Sequence, residues 1–141
     1  MSQKTPRKGE QGYTLIELLV VLAILALLAT VATTQYLRYL DHAKVQTAHT
    51  QVEALSSALD LYKLDVGSYP TSQQGLTALE TAPAGIENWN GPYVKKTTSL
   101  TDPWGHPYTY VSPGQHGEFD LSSNGPQGGA ANGADPPIRN W

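Results

Sequence analysis

The feature that most constrains this chain is an apolar run close to its N-terminus. From Tyr13 to Ala32 there are twenty residues, and they include a single charged side chain, Glu17. A helix of that length rises roughly 30 Å, which matches the hydrocarbon core of a bilayer. Three of the nine basic residues precede Gly12, so the positive-inside rule places the N-terminus in the cytoplasm. We therefore predict a single-pass membrane protein whose C-terminal bulk lies on the far side of the membrane.

Two simpler interpretations of this run are a secretory signal peptide and a plain signal anchor. The run is longer than a typical signal-peptide core, and no A-x-A cleavage site with a turn follows it. A signal anchor stays open on hydropathy alone. A charge within or beside a membrane helix is costly and tends to be functional, so Glu17 indicates that the segment has a further role.

The sequence after the apolar run predicts that the same helix continues. Apolar positions recur there with alternating spacings of three and four residues, at Val45, Ala48, Val52, Leu55, Leu59, Tyr62 and Val66. No Pro or Gly interrupts residues 13–66. We expect one helix of about 54 residues, apolar all round in its first part and amphipathic in its second. Gly67 and Pro70 are typical of the end of a helix.

The C-terminal half is rich in Gly and Pro and predicts short elements. Residues 72–80 predict a short N-capped helix, and residues 93–96 predict a short strand or extended piece. Residues 108–111 and 118–121 flank a six-residue loop, a pattern typical of a β-hairpin. Together with the long helix, these elements predict an α+β fold.

Composition excludes several functional classes. The chain has no cysteine, which excludes disulfides and thiolate sites. Its net charge of −3 becomes more negative without the basic N-terminus, so nucleic acid is not an expected partner. The four histidines lack metal-binding spacing, and no nucleophile or phosphate-loop motif is present. A membrane-anchored periplasmic binding domain stays open, because Trp89, Trp104 and several tyrosines could line a carbohydrate site.

Specific motifs now indicate a family. The stretch Gly12-Tyr-Thr-Leu-Ile-Glu17 ahead of the apolar run resembles the class III leader of type IV pilins and of type II secretion pseudopilins. Further along, the sequence is similar to the major pseudopilin of type II secretion systems over essentially the whole mature chain. The matching motifs include Gly67-x-Tyr-Pro70, Gln74-Gly-Leu76, Asn88-Trp89, Gly91-Pro-Tyr93, Asp102-Pro-Trp-Gly-His-Pro-Tyr108, His116-Gly-Glu-Phe-Asp-Leu121 and Asn140-Trp141.

The resemblance implies a domain plan and a processing step. It implies a pilin-like α+β fold, in which a long N-terminal helix packs on a small antiparallel sheet that is followed by a C-terminal loop. Prepilin peptidase would remove residues 1–12 by cutting between Gly12 and Tyr13, and would methylate the new N-terminus at Tyr13. Residues 13–34 would form the transmembrane and filament-core helix, and residues 35–141 the periplasmic domain.

The resemblance also implies a function and partners. The protein would be a structural subunit, not an enzyme, that polymerises into a helical homopolymer, the periplasmic pseudopilus. Its partners would be prepilin peptidase, minor pseudopilins, an inner-membrane assembly platform and a secretion ATPase. It would sit in the inner membrane before assembly and help to move folded proteins across the outer membrane. A type IV pilin of an adhesion or DNA-uptake filament stays open as an alternative.

Four residues are implied in assembly. Glu17 would pair with the Tyr13 amine of a neighbouring subunit, because a carboxylate in an apolar filament core needs a cationic partner. The alternative for Glu17 is an acid tolerated near a helix end. Asp60 would form an intersubunit ion pair with Lys95 or Lys96, and the alternative for these three is a solvated charged surface.

The resemblance implies calcium as the one cofactor to consider. Family members bind Ca²⁺ in the C-terminal loop, where this chain offers Asn124, Gln127 and Asp135, and Gln127 replaces the family's first loop Asp. Calcium prefers six to eight oxygen ligands that include carboxylates. The alternative is a loop held by Pro126, Pro136 and Pro137, whose fixed φ lowers the entropy of ordering.

Two further departures concern the apolar helix. Ala26 stands where the family often has Gly, and Thr34 stands where it has a Pro associated with a break in the helix. We therefore expect a more continuous helix here. We also expect Thr30, Thr33 and Thr34 to hydrogen-bond back to backbone carbonyls.

Overall fold

The computed structural model describes residues 14–95, 100–128 and 137–141, without the side chain of Gln127. Predictions that concern Gly12, Tyr13, Lys96 or Asp135 therefore lie outside the described residues. The chain divides into two compact units, residues 1–39 and 40–141.

One long helix, α1, spans Leu15–Val66 and contributes to both units. Its 52 residues confirm the continuous helix predicted from the sequence, with a start two residues later. The helix ends where Gly67 adopts a φ of 92°. The Gly67 N–H bonds the Lys63 carbonyl at 2.8 Å, and this closes the last turn. Glycine suits this position because side chains disfavour positive φ.

In the first unit, the apolar side chains of α1 are not covered by other described residues. The large hydrophobic residues between Leu15 and Val31 are about half exposed or more, with Val20 the lowest at 49%. By length and composition, α1 is the one helix among the described residues that could cross a membrane, and its most apolar stretch is 0% buried. This agrees with the predicted transmembrane segment.

In the second unit, one face of α1 forms the centre of the hydrophobic core. The buried residues of the helix are Ala48, Val52, Leu55, Ala58, Leu59 and Tyr62, with Val45 and Val66 packed at the edge. They follow the predicted three-and-four spacing, because residues three or four apart share a helix face. The rest of the core comes from the segments after the helix, above all Leu79 and Leu121, both fully buried.

A three-stranded antiparallel sheet follows the helix. Strands β1 (Thr109–Val111), β2 (Asp120–Ser123) and β3 (Ile138–Arg139) pair in the order β1-β2-β3. Tyr110 lies opposite Leu121, and Ser123 lies opposite Ile138. The predicted hairpin is confirmed, although its strands begin one and two residues later than expected. The antiparallel sheet with the long helix confirms the predicted α+β class.

Two of the short elements differ from the prediction. Residues 72–80 do not form one helix: a turn is followed by a short 3₁₀ helix, Leu76–Leu79. The reason is Gly75, whose φ of 61° and ψ of −166° cannot belong to a right-handed helix. For residues 93–96, predicted as a short strand or extended piece, the strand alternative is wrong over the described part, residues 93–95.

Candidate functional site

The first turn of α1 is a capping box built by Thr14 and Glu17. The Thr14 N–H donates to Glu17 Oε2 at 3.0 Å, and the Thr14 hydroxyl is 3.4 Å from the same oxygen. In return, the Glu17 N–H lies 3.4 Å from Thr14 Oγ1. This reciprocal pattern is the S/T-x-x-E signature of a helix start. Glu17 therefore has a structural role within the subunit that the sequence analysis missed, although the signal Thr-Leu-Ile-Glu was present.

The capping box leaves one oxygen of the Glu17 carboxylate available. Both bonds to the Glu17 side chain use Oε2, and Oε1 has no hydrogen-bond partner among the described residues. The acid also sits in the first turn of the helix, where the macrodipole favours negative charge. Glu17 can therefore hold the helix start and still present one oxygen to a cation from another molecule.

Three threonines farther along the apolar segment bond back to their own helix. Thr30 Oγ1 donates to the Ala26 carbonyl at 2.9 Å, and Thr33 Oγ1 donates to the Ala29 carbonyl at 2.8 Å. Thr34 Oγ1 donates to the carbonyl of Val31 at 2.9 Å. These bonds confirm the expected back-bonding, and α1 continues through all three residues without a break.

Near the end of α1, Asp60 is held by an aromatic side chain of its own subunit. The Tyr69 hydroxyl donates to Asp60 Oδ1 at 2.8 Å. The Tyr69 ring packs edge-on against Phe119, with 4.8 Å between ring centroids, and Lys63 Nζ lies 4.6 Å from the Tyr69 centroid. Burial, with the nearby carboxylate of Asp60, raises the pKa of Tyr69, so its hydroxyl stays protonated and donates.

The same cluster contains an ion pair. Lys63 Nζ lies 2.6 Å from Glu118 Oε1, and this hydrogen bond lowers the pKa of Glu118. Asp60 is exposed, and so is Lys95, while Lys96 lies outside the described residues. Within the described part of one subunit, Asp60 and Lys95 form no ion pair, and the pairing predicted between subunits stays a prediction.

The start of the C-terminal loop is anchored by a buried carboxylate. Asp102 is 4% exposed, and its Oδ1 accepts the backbone N–H groups of Trp104 at 3.1 Å and His106 at 2.8 Å. Its Oδ2 accepts the hydroxyl of the fully buried Ser123 at 2.7 Å. The His106 ring then contacts the Gly125 carbonyl, with 3.1 Å between Nδ1 and the oxygen.

The far end of the loop is anchored by the last residues of the chain. Asn140 continues the β2 ladder: its N–H donates to the Leu121 carbonyl, and its side-chain oxygen accepts the Leu121 N–H at 2.8 Å. The Trp141 ring stacks on His116 with 4.3 Å between centroids and 9° between planes. His116 Nδ1 in turn lies 3.0 Å from Asp120 Oδ2.

The described residues of this loop do not bring together the acidic side chains that a calcium site usually contains. The Asn124 amide donates to Thr109 Oγ1 at 3.3 Å, and both oxygens of nearby Asp102 already accept hydrogen bonds. Among residues 14–95, 100–128 and 137–141, no three His, Asp or Glu side chains cluster in a way that would hold a metal. Asp135, the one acid predicted as a ligand, lies outside the described residues, and the side chain of Gln127 is not described.

The aromatic residues considered for carbohydrate binding are part of the packing. The Trp89 indole N–H donates to the Ala78 carbonyl at 2.8 Å, and its ring meets Tyr93 edge-on at 5.7 Å. Trp89, Tyr93 and Trp104 all pack against the core. They act as clamps for the loops after α1.

Two known family models match this chain, and together they include residues of both units. The family described as type II secretion system (T2SS), protein G, matches residues 35–141, and the prokaryotic N-terminal methylation motif matches residues 7–33. The chain belongs to the type II secretion system protein G family. The two matches together cover nearly the whole sequence.

Individual members of this family are similar over their full length. The type II secretion system core protein G of Pseudomonas aeruginosa is 46% identical over 142 residues, covering 96% of this chain and 97% of the relative. The Vibrio cholerae protein of the same name is 44% identical and covers 94% and 92%. The crystal structure of the major pseudopilin from the type 2 secretion system of enterohaemorrhagic Escherichia coli matches with a TM-score of 0.61 and 34% identity. That match covers 74% of this chain and 92% of the other.

Proposed function

We propose that this chain polymerises into the periplasmic pseudopilus of a type II secretion system and thereby drives the export of folded proteins across the outer membrane. One observation carries the proposal: in a member of the protein G family, the apolar side chains of residues 15–31 are left uncovered by the rest of the described chain. Apolar surface of this extent needs a partner. Lipid covers it in the unassembled subunit, and other copies of the helix cover it in the filament.

The subunit enters the inner membrane with its N-terminus in the cytoplasm and its C-terminal domain in the periplasm. Prepilin peptidase then cuts between Gly12 and Tyr13 and methylates the Tyr13 amine. The match of residues 7–33 to the N-terminal methylation motif supports this step. N-terminal sequencing and mass spectrometry of the mature protein test it, with methylated Tyr13 as the expected first residue. A protein that retains residues 1–12 when prepilin peptidase is present would contradict it.

Assembly uses Glu17 and the new amine of a neighbouring subunit. Glu17 Oε1 is available for this pairing because the capping box uses Oε2. In a filament core, the pair neutralises two charges that would otherwise be buried alone. The remaining partners are the minor pseudopilins, the inner-membrane platform and the cytoplasmic ATPase.

A second contact joins Asp60 of one subunit to Lys95 or Lys96 of another. Both Asp60 and Lys95 are exposed in the subunit, so they are accessible to a neighbour. A charge swap tests this pairing: Asp60→Lys and Lys95→Asp should each reduce filament yield, and the double variant should restore it. Lys96→Asp is tested in the same way, alone and together with Asp60→Lys. If neither double variant recovers filaments lost in the single variants, the pairing is wrong.

The two ends of the C-terminal loop are held by protein contacts, and we expect the subunit to fold without calcium. The bonds of Asp102, Ser123 and His106 hold its start, and Asn140 and Trp141 hold its end. Calorimetry of the full chain in detergent tests this. We expect thermal unfolding to change by less than about 2 °C between excess chelator and millimolar Ca²⁺. A large upward shift with Ca²⁺ that Asp135→Asn abolishes would overturn the proposal.

A further inference from the structure

The spacing of charges along α1 defines an uncharged stretch that continues five residues beyond the end of the apolar run. Between Glu17 and Arg38 there are twenty residues without a charged side chain. Both residues belong to α1. At the standard helical rise, their Cα atoms are separated by about 31 Å, close to the thickness of the hydrocarbon core. The two charges are therefore spaced to lie at opposite surfaces of one bilayer.

The far end of this stretch carries an aromatic and basic group. Tyr36 is 61% exposed and Tyr39 is 70% exposed, and the intervening Arg38 is also exposed. Among the described residues, neither tyrosine hydroxyl nor the guanidinium has a hydrogen-bond or ion-pair partner. These three residues, here called the interfacial collar, are therefore available to groups outside the chain.

The chemistry of the collar suits the headgroup layer. Tyrosine is enriched where its ring meets acyl chains and its hydroxyl meets water. Arginine buries its aliphatic stem and extends a planar fork that binds phosphate through two hydrogen bonds. Tyr36 and Tyr39 are three residues apart and therefore share a helix face. Arg38, two residues after Tyr36 and one before Tyr39, lies on another side of the helix at the same depth.

We propose that the interfacial collar binds phospholipid phosphate in the leaflet on the periplasmic side and, together with Glu17 at the opposite surface, sets the depth of α1 in the membrane. The proposal rests on the membrane-inserted state of the proposed function. On this proposal the membrane-spanning segment is residues 18–37 and not residues 13–34, the segment predicted from the sequence. Glu17 then lies at a membrane surface, where a carboxylate is far less costly than in hydrocarbon.

Cysteine labelling measures the depth directly, because the chain has no native cysteine. Single variants Ala32→Cys, Gln35→Cys and Asp41→Cys of the full chain are placed in phospholipid nanodiscs and treated with a membrane-impermeant maleimide. We expect Ala32→Cys and Gln35→Cys to react at least tenfold more slowly than Asp41→Cys. If Gln35→Cys reacts as fast as Asp41→Cys, the collar lies in water and the proposal fails.

A second comparison isolates the phosphate. In phospholipid nanodiscs, adding Arg38→Gln to Gln35→Cys should raise the labelling rate at least threefold, whereas adding Arg38→Lys should change it by less than twofold. In micelles of a maltoside detergent, which has no phosphate, Arg38→Gln should have no effect. An equal effect of Arg38→Gln in both surroundings, or none in nanodiscs, would overturn the phosphate contact.

These measurements use unassembled subunits at one copy per nanodisc, so they do not depend on filament formation. A protein that fails to form filaments but shows the expected labelling pattern would contradict the proposed function and leave the collar intact. If the collar instead docks another subunit, protection of Gln35→Cys will require a second copy in the same nanodisc. That result would count against lipid as its partner.

Discussion

At the scale of single residues, Glu17 shows how one side chain can serve two states of a protein. In the subunit it accepts the Thr14 N–H and stabilises the start of α1. A capping bond of this kind is worth about 1 kcal/mol. In the proposed filament contact, the negative charge of the same carboxylate pairs with the amine of a neighbouring subunit. The two contributions are separable because a capping box accepts glutamine as well as glutamate.

Substitutions of Glu17 can separate its role in capping α1 from the role of its charge in assembly. Glu17→Gln keeps the hydrogen-bonding geometry of the cap and loses only the charge, whereas Glu17→Ala loses both. Because an unpaired buried amine is costly, we expect both variants to be inserted and cleaved but to reduce filament yield by at least about tenfold. Electron microscopy of filaments and the mass of the mature subunit give the two readouts. Thr14→Ser, which keeps the capping hydroxyl, is the control, and normal filaments from Glu17→Gln would assign Glu17 to capping alone.

Gly114 is constrained by close approach of neighbouring atoms. A Cβ at this position would lie 2.6 Å from Asp120 Oδ1 and 2.7 Å from the Phe119 carbonyl carbon. We expect Gly114→Ala to lower the free energy of unfolding by about 1–3 kcal/mol, because the backbone after the loop must move. Denaturant titration of the full chain measures the change.

Gly117 provides the matched control for this effect. It lies in the same loop, and an added Cβ would be no nearer than 3.8 Å to its neighbour, the Phe119 carbonyl oxygen. Gly117→Ala should therefore change the free energy of unfolding by less than about 0.5 kcal/mol. Equal destabilisation by both variants would mean that the contacts around Gly114 are not the cause.

At the scale of elements, the end of α1 is tied to the loop before the 3₁₀ helix through Tyr69 and Asp60. The bond lies within one subunit, whereas the proposed ion pair of Asp60 lies between subunits. The neutral amide of Asp60→Asn can still accept the Tyr69 hydroxyl. The two contacts therefore respond differently to substitution.

We expect Tyr69→Phe to lower the free energy of unfolding by about 1 kcal/mol, since one hydrogen bond is lost and the ring remains packed on Phe119. Asp60→Asn should leave the stability of the subunit within about 0.5 kcal/mol and should reduce filament yield. Thermal unfolding and filament counts on the two variants measure both effects. A strong loss of subunit stability in Asp60→Asn would place the role of Asp60 within the subunit.

The elements also show where sequence reasoning succeeds and where it stops. The span of α1 was predictable because residues 13–66 contain no Pro or Gly, the three-and-four spacing of residues 45–66 is helical, and Gly67 marks the end. The break at Gly75 was not predictable, because glycine is also tolerated inside short helices. Only the backbone angles of Gly75 show that the helix cannot pass through this residue. Strand β3 has two residues, too few for an alternating pattern, and it depends on pairing with β2 across a long separation in sequence.

The candidate functional site was also predictable only in part. Family motifs indicated Glu17 and Asp60, and the structure adds their partners within the subunit, Thr14 and Tyr69. The Thr14 contact was readable from the T-x-x-E pattern. The Tyr69 contact was not, because it requires the chain to reverse after Gly67 and return along α1.

At the scale of the whole molecule, five of the eight tyrosines of the chain make the fold sensitive to alkali. Burial raises the pKa of Tyr62, Tyr69, Tyr93, Tyr108 and Tyr110, and that of Tyr108 reaches about 12. The folded state therefore prefers the protonated phenol. This contribution to stability is complete below the unfolded pKa of about 10 and is lost as the pH rises through the folded values.

We accordingly expect the melting temperature of the full chain in detergent to fall steeply between pH 10 and pH 12. Tyr108→Phe should make the fall shallower because it removes one ionising group, although it also loses the hydrogen bond to Gln51 and so lowers stability at neutral pH. A wild-type melting temperature that is constant up to pH 12 would contradict this assignment.

The back-bonded threonines of the apolar segment have a consequence for transfer between environments. Each hydroxyl of Thr30, Thr33 and Thr34 takes its acceptor from its own helix. Such a segment carries its polar partners with it, so it needs none from lipid, water or another protein. A subunit that must leave a bilayer and enter a protein assembly can therefore exchange one surrounding for the other without breaking a hydrogen bond in this part of the helix.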